Sequence, residues 1–223
     1  MAKHRVFLAA PEGSARADFR ARVLADVAPP LAAGVERLSV DLVDATPATL
    51  PWQRPGEPAA PAEPDFDAVI DLWGSDAALA AALARLTASI PGVPRASVRV
   101  AESIEKDELP RAPGRAPGVK FLALMHFCTD LPPAAARRLW THHAPLALRV
   151  HIGMARYVRD WVEQAEPSPI ATFQGIAELH FPSVEAMATR WFDSEAGRQA
   201  IIHDVGHFLA FAKRLYTTEY VLK

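Results

Sequence analysis

The sequence predicts an α+β fold. Two ferredoxin-like βαββαβ units, residues 4–107 and 118–223, are expected to pack sheet to sheet as one α+β barrel within the chain. Three observations predict it. First, the halves read as one pattern written twice: Phe66-Asp-Ala-Val-Ile-Asp-Leu-Trp73 lies over Phe173-Gln-Gly-Ile-Ala-Glu-Leu-His180, and Ala28-Pro29 over Ala144-Pro145. A repeat of this length is one structural unit made twice and packed against its neighbour. Second, strand and helix signals alternate as β-α-β-β-α-β in each half, the split βαβ arrangement. Third, a four-stranded sheet with helices on one face leaves its other face bare, and a second such sheet can cover it.

In the first unit, Arg5–Ala9 is a short apolar strand. Ala15–Ala33 reads as a helix, with Phe19, Val23 and Val27 four apart. Pro29 and Pro30 bend or end it, because proline lacks the N–H and clashes with the preceding turn. Val35–Val43 is a strand. Residues 44–64 carry Pro47, Pro51, Pro55, Pro58, Pro61 and Pro64 with no periodicity, so they read as a loose loop that could be deleted at little cost in stability. Asp67–Trp73 is a strand, Ser75 or Asp76 caps an Ala-rich helix over 77–89, and Ser97–Glu105 closes the unit.

Residues 108–117 lie in a stretch of linker composition, with prolines and glycines between Lys106 and Gly118. Val119–Phe127 then alternates, with Val119, Phe121, Ala123, Met125 and Phe127 on one face and Lys120, Leu122, Leu124 and His126 on the other. Pro132 and Pro133 open a helix running to about His151. Met154–Val162 and Phe173–Phe181 are strands. Ser183 caps a helix through Phe192, Ser194 caps another over Glu195–Phe211, and Arg214–Leu222 is the last strand. The 195–211 helix has no counterpart in the first half.

Composition narrows the function classes. The chain has 223 residues, half of them hydrophobic and 22% charged, which is enough to bury a real core. Net charge is −2 with no long basic block, so nucleic acid is not an expected partner. No apolar run approaches a membrane span, and Met-Ala-Lys-His-Arg leads straight into a strand-like run rather than a signal peptide. The single Cys128 excludes an intrachain disulfide and fits a reducing compartment, so a cytoplasmic location is expected. Phosphate-binding loops, the Gly-x-Ser-x-Gly elbow and dinucleotide fingerprints are missing from the sequence, and no cofactor is expected.

Several segments together resemble the EthD domain, a family of the dimeric α+β barrel proteins. They are Trp140-Thr-His-His-Ala-Pro-Leu146, Gly153-Met-Ala-Arg-Tyr157, Phe173–Phe181, Asp193-Ser-Glu-Ala-Gly197 and Asp204-Val-Gly-His-Phe208. The resemblance covers roughly 118–223, with 4–107 as a degenerate second copy. It implies small-molecule metabolism: ether degradation, fungal relatives acting as dehydratases, decarboxylases or oxidases on polyketides, and wider relatives that are cofactor-free monooxygenases and cyclases. One fold hosts many chemistries, so the reaction is not implied. Typical members pair two identical chains. Here the candidate histidines fall in the second half alone, so one functional pocket is expected, and a homodimer stays open.

The candidate catalytic residues are His143, His180, His207 and Glu178. His143 falls opposite Val27 in the repeat and His180 opposite Trp73. Imidazole takes and gives protons near pH 7. The plainer alternative is a core histidine bonded to a backbone carbonyl. Glu178 and His180 are two apart on one strand and share a face, so the acid could orient the ring. Asp71 keeps that acid where the histidine is gone, which suggests a structural role, as a partner of Arg37 or Arg156. His203 and His207 are four apart on a predicted helix, a spacing that suits a metal, but the catalytic Glu of the His-Glu-x-x-His form is missing and no metal is expected. Trp140, Tyr157, Phe181, His203 and Phe208 are expected to line a pocket for a hydrophobic, flat small molecule.

Two functions follow from these residues. One is an enzyme using histidine acid–base chemistry without a nucleotide cofactor: a lyase, isomerase or oxygenase on an enolisable or phenolic compound. The other is a non-catalytic binding or structural accessory of a degradation pathway. A cavity receiving two or more of His143, His180 and His207 favours the enzyme.

Overall fold

The computed structural model describes residues 1–47, 65–93, 95–166 and 172–223. Most of the proline-rich loop, residues 48–64, lies outside them, as does its expected looseness. The elements run β1 Ala2–Leu8, α1 Arg16–Arg22, β2 Arg37–Asp44, β3 Ala68–Gly74, α2 Asp76–Ser89, β4 Arg95–Asp107, β5 Gly114–Arg115, β6 Val119–Phe127, α3 Pro133–Val150, β7 Arg156–Ala165, β8 Gly175–Phe181, α4 Val184–Thr189, α5 Glu195–Val205 and β9 Leu209–Val221. Eight strands close an antiparallel barrel in the order β2-β3-β1-β4-β7-β8-β6-β9, and β9 pairs back onto β2. Closure leaves no bare sheet edge among these eight. The two-residue β5 adds to β9 beside Val221 and Tyr220, so part of the expected linker is ordered against the barrel.

Each half contributes four neighbouring strands with the same connectivity: second, third, first, fourth. The halves join at two seams. β4 pairs with β7 through bulges at Arg99/Val100 and Ile104/Lys106, and β2 pairs with β9 without a register shift. The helices cover the outside. Val23, Val27, Leu31, Leu79 and Leu86 pack on Val6, Leu38, Val40, Ile70 and Leu72 in the first half. In the second half Trp140, Ala144, Ala147 and Ile201 pack on Phe121, Met125, Tyr157 and Leu179. A third apolar cluster, with Phe7, Val69, Leu122, Leu124, Phe173 and Ile176, plugs the barrel interior.

The helix expected over 15–33 breaks into three pieces. After α1 the chain widens to a π-helix at Val23–Val27, closed by Ala28 N–H on Val23 C=O at 3.0 Å, and then tightens to a 3-10 turn at Pro29–Gly34. Two adjacent prolines cannot donate the bonds that an α-helix needs there, so the ladder shifts by one residue. The single Pro145 does less. The helix α3 runs through it to Val150 and buries Ala136, Trp140, His143, Ala144, Ala147 and Val150 along one stripe.

Two other boundaries also differ. The Ser183-capped helix ends at Thr189 rather than Phe192. The helix expected over 195–211 ends at Val205, and a Gly206–Phe208 turn leads directly into β9, where Leu209 and Phe211 pair with Phe127 and His126. The apolar run around Phe208 fits helix or strand equally, and pairing with β6 decides it. Ser194 caps α5 by accepting from Gly197 N–H at 3.0 Å. At Gly197 a Cβ would collide with the Asp193 side chain and crowd Val150, so glycine is what lets α5 lie this close to α3.

Candidate functional site

Between the outer face of the second-half strands and the helices α3 and α5 lies a cavity of about 180 Å³. Phe121, Ala123 and Met125 of β6, Ala177 and Leu179 of β8, and Tyr157 of β7 form its floor. Trp140, His143, Ala147 and Ile201 form its roof, with Phe208 beside them. The walls are overwhelmingly apolar. The volume falls below the usual range for drug-sized ligands, so the space suits a compact molecule of one or two rings.

His143 is the polar feature of this cavity that offers acid–base chemistry. It sits on the buried stripe of α3, edge-on to the Phe208 ring with centroids 5.6 Å apart. Its Nδ1 lies 2.7 Å from Asp204 Oδ2 at the last turn of α5. Burial lowers the His143 pKa, and the hydrogen bond and charge of Asp204 only partly oppose it, so the ring is neutral at pH 7. With Nδ1–H donating to Asp204, the lone pair is on Nε2, which has no protein hydrogen-bond partner among the described residues. This is an oriented base whose partner carboxylate holds the tautomer.

His151 also lines the cavity, one residue past the end of α3. Its Nδ1 donates to Trp191 C=O at 2.7 Å, and burial pushes its pKa down to about 4. It is a neutral, backbone-anchored ring that sets the position of Trp191. Burial likewise raises the pKa of the Tyr157 hydroxyl, which stays protonated. Asp204, His151 and Trp191 are functional candidates that the sequence reasoning passed over. The acid in the Asp204-Val-Gly-His-Phe208 motif, lying one helical turn before Phe208, was the available signal for Asp204.

Of the residues predicted for the site, His143, Trp140, Tyr157 and Phe208 line this cavity together. His180, Glu178 and His207 do not join them. His180 and Glu178 project to the opposite face of β8, into the barrel interior, because residues of a strand alternate and the cavity takes Ala177 and Leu179. There His180 Nε2 donates to Pro117 C=O at 2.9 Å, and its Nδ1 is 3.7 Å from Glu219. Glu178 does not orient His180. It is held by Arg5 at 3.2 Å and faces Lys120 at 3.6 Å. His207 and His203 are exposed, with their Nε2 atoms 3.4 Å apart on the outer side of the α5 turn. Phe181 is fully buried and stacks on Trp191. No group of three or more metal-binding side chains occurs among the described residues.

The barrel interior is the second polar centre. Lys3, Arg5, Lys120 and Arg156 meet Asp41, Asp71, Glu102, Asp160, Glu178 and Glu219 there. Asp71 pairs with Arg5, not with Arg37 or Arg156 as expected. Burial pushes Glu178 up, but Lys120, Lys3 and Arg5 override it and hold it well below the usual carboxylate range. Asp41 goes the other way: burial, reinforced by Asp71, Glu219 and Glu178, outweighs Lys120 and raises it to about 7. Acids outnumber bases among these side chains, and like charge held out of water disfavours the ionised form of Asp41.

The family match falls on the half that holds the cavity. Residues 129–212 match the EthD domain. That span holds α3, β7, β8, α4 and α5, which carry His143, Asp204 and most of the cavity wall. A candidate monooxygenase of Fusobacterium nucleatum superposes with a TM-score of 0.57 at 11% identity, covering 100% of this chain and 92% of that one. A candidate monooxygenase of Lactobacillus acidophilus gives 0.52 at 9% identity, covering 100% and 94%. An anthrone oxidase-like protein gives 0.56 at 11% identity, covering 99% and 90%. At these identities the likeness establishes the fold, and it extends over the whole barrel rather than the EthD region alone. No curated protein sequence matches the chain. No helix among the described residues is long and apolar enough to cross a membrane.

Proposed function

We propose that this protein is a cytoplasmic small-molecule enzyme that works at the cavity of the EthD region, with His143 as general base and Asp204 as its positioning partner. The observation that carries the reading is the 2.7 Å His143–Asp204 contact at the wall of an apolar cavity, with Nε2 left for a ligand. An oriented neutral imidazole beside an apolar floor can take a proton from an acidic C–H or O–H of an enolisable or phenolic ring compound. The resulting anion then eliminates, rearranges or reacts with dioxygen, according to the substrate. Solved neighbours described as monooxygenases and as anthrone oxidase-like favour the last course, while a cavity of about 180 Å³ favours a substrate of one or two rings over a three-ring anthrone. No organic cofactor is part of this reading.

The halves 4–107 and 118–223 are read here as two copies of one ferredoxin-like unit joined by 108–117. Their shared strand connectivity supports this, as does the placement of Trp73 and His180 at matching positions facing the interior. The barrel closes within the chain, so no second copy is needed to cover a sheet.

The test is turnover and oxygen uptake with anthrones, phenols and 1,3-diketones, on wild type and His143→Ala. Loss of a general base removes about 10²–10⁴-fold in rate. Full activity in His143→Ala would refute the assignment. A ligand that binds the cavity but is never turned over would favour the accessory role.

A further inference from the structure

A second cavity, also about 180 Å³, opens at one end of the barrel, on the far side of the sheet from His143. Arg37, Ser39, Trp73, Arg111, Arg156 and Glu219 line it. Two of its three guanidiniums are already committed. Arg111 bonds Asp107 at 2.8 Å, and Arg156 is held by Asp107 at 2.7 Å and Glu219 at 3.0 Å. Lys223 reaches the rim, but its ammonium is spent on the carbonyls of Ala32 and Val35.

Arg37 is different. Its guanidinium stacks 4.1 Å over the Trp73 ring and has no hydrogen-bond or ion-pair partner among the described residues. Lys3 lies over the same indole at 4.9 Å, and Trp73 Nε1–H donates to Glu102, so the ring is fixed and holds Arg37 in place. Burial, with the nearby Arg111 and Arg156, lowers the Arg37 pKa against the pull of Glu102 and Asp107. Two residues along β2, facing the same side, Ser39 is 4% exposed and its buried hydroxyl has no hydrogen-bond partner among the described residues. A buried orphan hydroxyl is costly and calls for an explanation. The two observations are independent, and both are met by one guest: an acceptor-rich anion.

We propose that this barrel mouth binds a small oxyanion, a phosphate or carboxylate group, gripped by the Arg37 fork and by the Ser39 hydroxyl. Guanidinium matches such groups bidentately, which a single ammonium cannot do. Glu219 remains tied to Lys120 and Arg156, so it does not repel the guest as a free charge. The site lies outside the cavity assigned above and does not depend on that assignment.

The experiment is calorimetric titration of the full chain with inorganic phosphate and, separately, acetate, at constant ionic strength so that screening is equal. Saturable binding of either, in the range of roughly 10 mM or tighter, is expected. Arg37→Gln should weaken it about tenfold or more, Ser39→Ala less, and Arg37→Lys should restore only part. Which anion binds identifies the source chemistry. Should Arg37→Gln fail to fold, Arg37→Lys and Ser39→Ala carry the same comparison. No saturation with either anion, or equal affinity in wild type and the variants, overturns the proposal.

Discussion

Asp71 and Glu178 hold the same nitrogen of Arg5, at 2.8 and 3.2 Å. These two acids occupy matching places in the two halves of the chain, on β3 and β8, and they converge on one guanidinium in the barrel interior. Arg5 also bonds Asp160 of β7 at 2.9 Å and is fully buried. One cation therefore ties strands of both halves together.

Removing that cation should be severe. Arg5→Met leaves three buried carboxylates short of a partner, and breaking a buried pair from one side costs about 3–5 kcal/mol. Urea denaturation at pH 7 should show that loss, and the deficit should shrink toward pH 4 as the stranded acids take up protons. A deficit below about 1 kcal/mol at pH 7 would mean that the interior relaxes around the gap.

Asp41 sets a second pH dependence, of opposite sign to that of Glu178 and Glu219. Its two oxygens lie 3.0 and 3.1 Å from Lys120 Nζ, yet burial among other acids raises its pKa to about 7. A carboxyl raised in the folded state disfavours folding once ionised. Its contribution is most favourable below the unfolded value, near 4, and is lost as pH rises through about 7. Glu178 and Glu219 are depressed, so theirs is present above their unfolded values and lost on acidification. Asp41→Asn should therefore gain on wild type between pH 5 and 8, on the order of 1–3 kcal/mol. Parallel stability curves for the two proteins across that range would contradict it.

How legible this was varies with what decided each feature. Alternation in Val119–Phe127 was readable because the barrel wall has two different faces: Phe121 and Met125 go to the helices, Leu122 and Leu124 to the interior. His143 was readable because it stands within the Trp140–Leu146 segment that carries the EthD resemblance. Its partner was not, since Asp204 lies 61 positions away and only the docking of α5 on α3 brings it within reach. The charged interior was equally hidden. Lys3, Arg5, Asp41 and Lys120 look like ordinary solvent-facing residues of half-exposed strands until closure of the barrel buries that face. The placement of Glu178 and His180 on the interior side follows from the same closure.

Ala177 offers a direct way to separate cavity from interior. It lies on the outer face of β8, on the cavity floor, between the inward-facing Ile176 and Glu178. Ala177→Leu places three more carbons in the cavity while leaving the charged centre untouched. Thermal stability should hold or rise slightly, because the new side chain enters empty space rather than a filled core. Ligand binding at the cavity should fall at least tenfold by titration, and anion binding at the barrel mouth should be unchanged. Retained cavity binding would place the ligand elsewhere.

The last prediction tests the positioning role of Asp204. Burial lowers the His143 pKa below 6.5, and Asp204 pulls it back up through its hydrogen bond and charge. Wild-type kcat/KM should then rise with pH through that depressed value and level off by neutrality, because the base must be unprotonated in the free enzyme. Asp204→Asn removes the charge that raises the pKa, so the acid limb should move to lower pH, not higher. At the same time the plateau should drop about 10²-fold, since an amide that presents its N–H to Nδ1 favours the wrong tautomer. Asp204 sits at a partly exposed helix end, so melting temperature should barely change. A purely structural Asp204 would lower stability and leave the plateau where it was. That outcome, or a limb moving upward, would remove Asp204 from the mechanism and leave His143 as an unpartnered base.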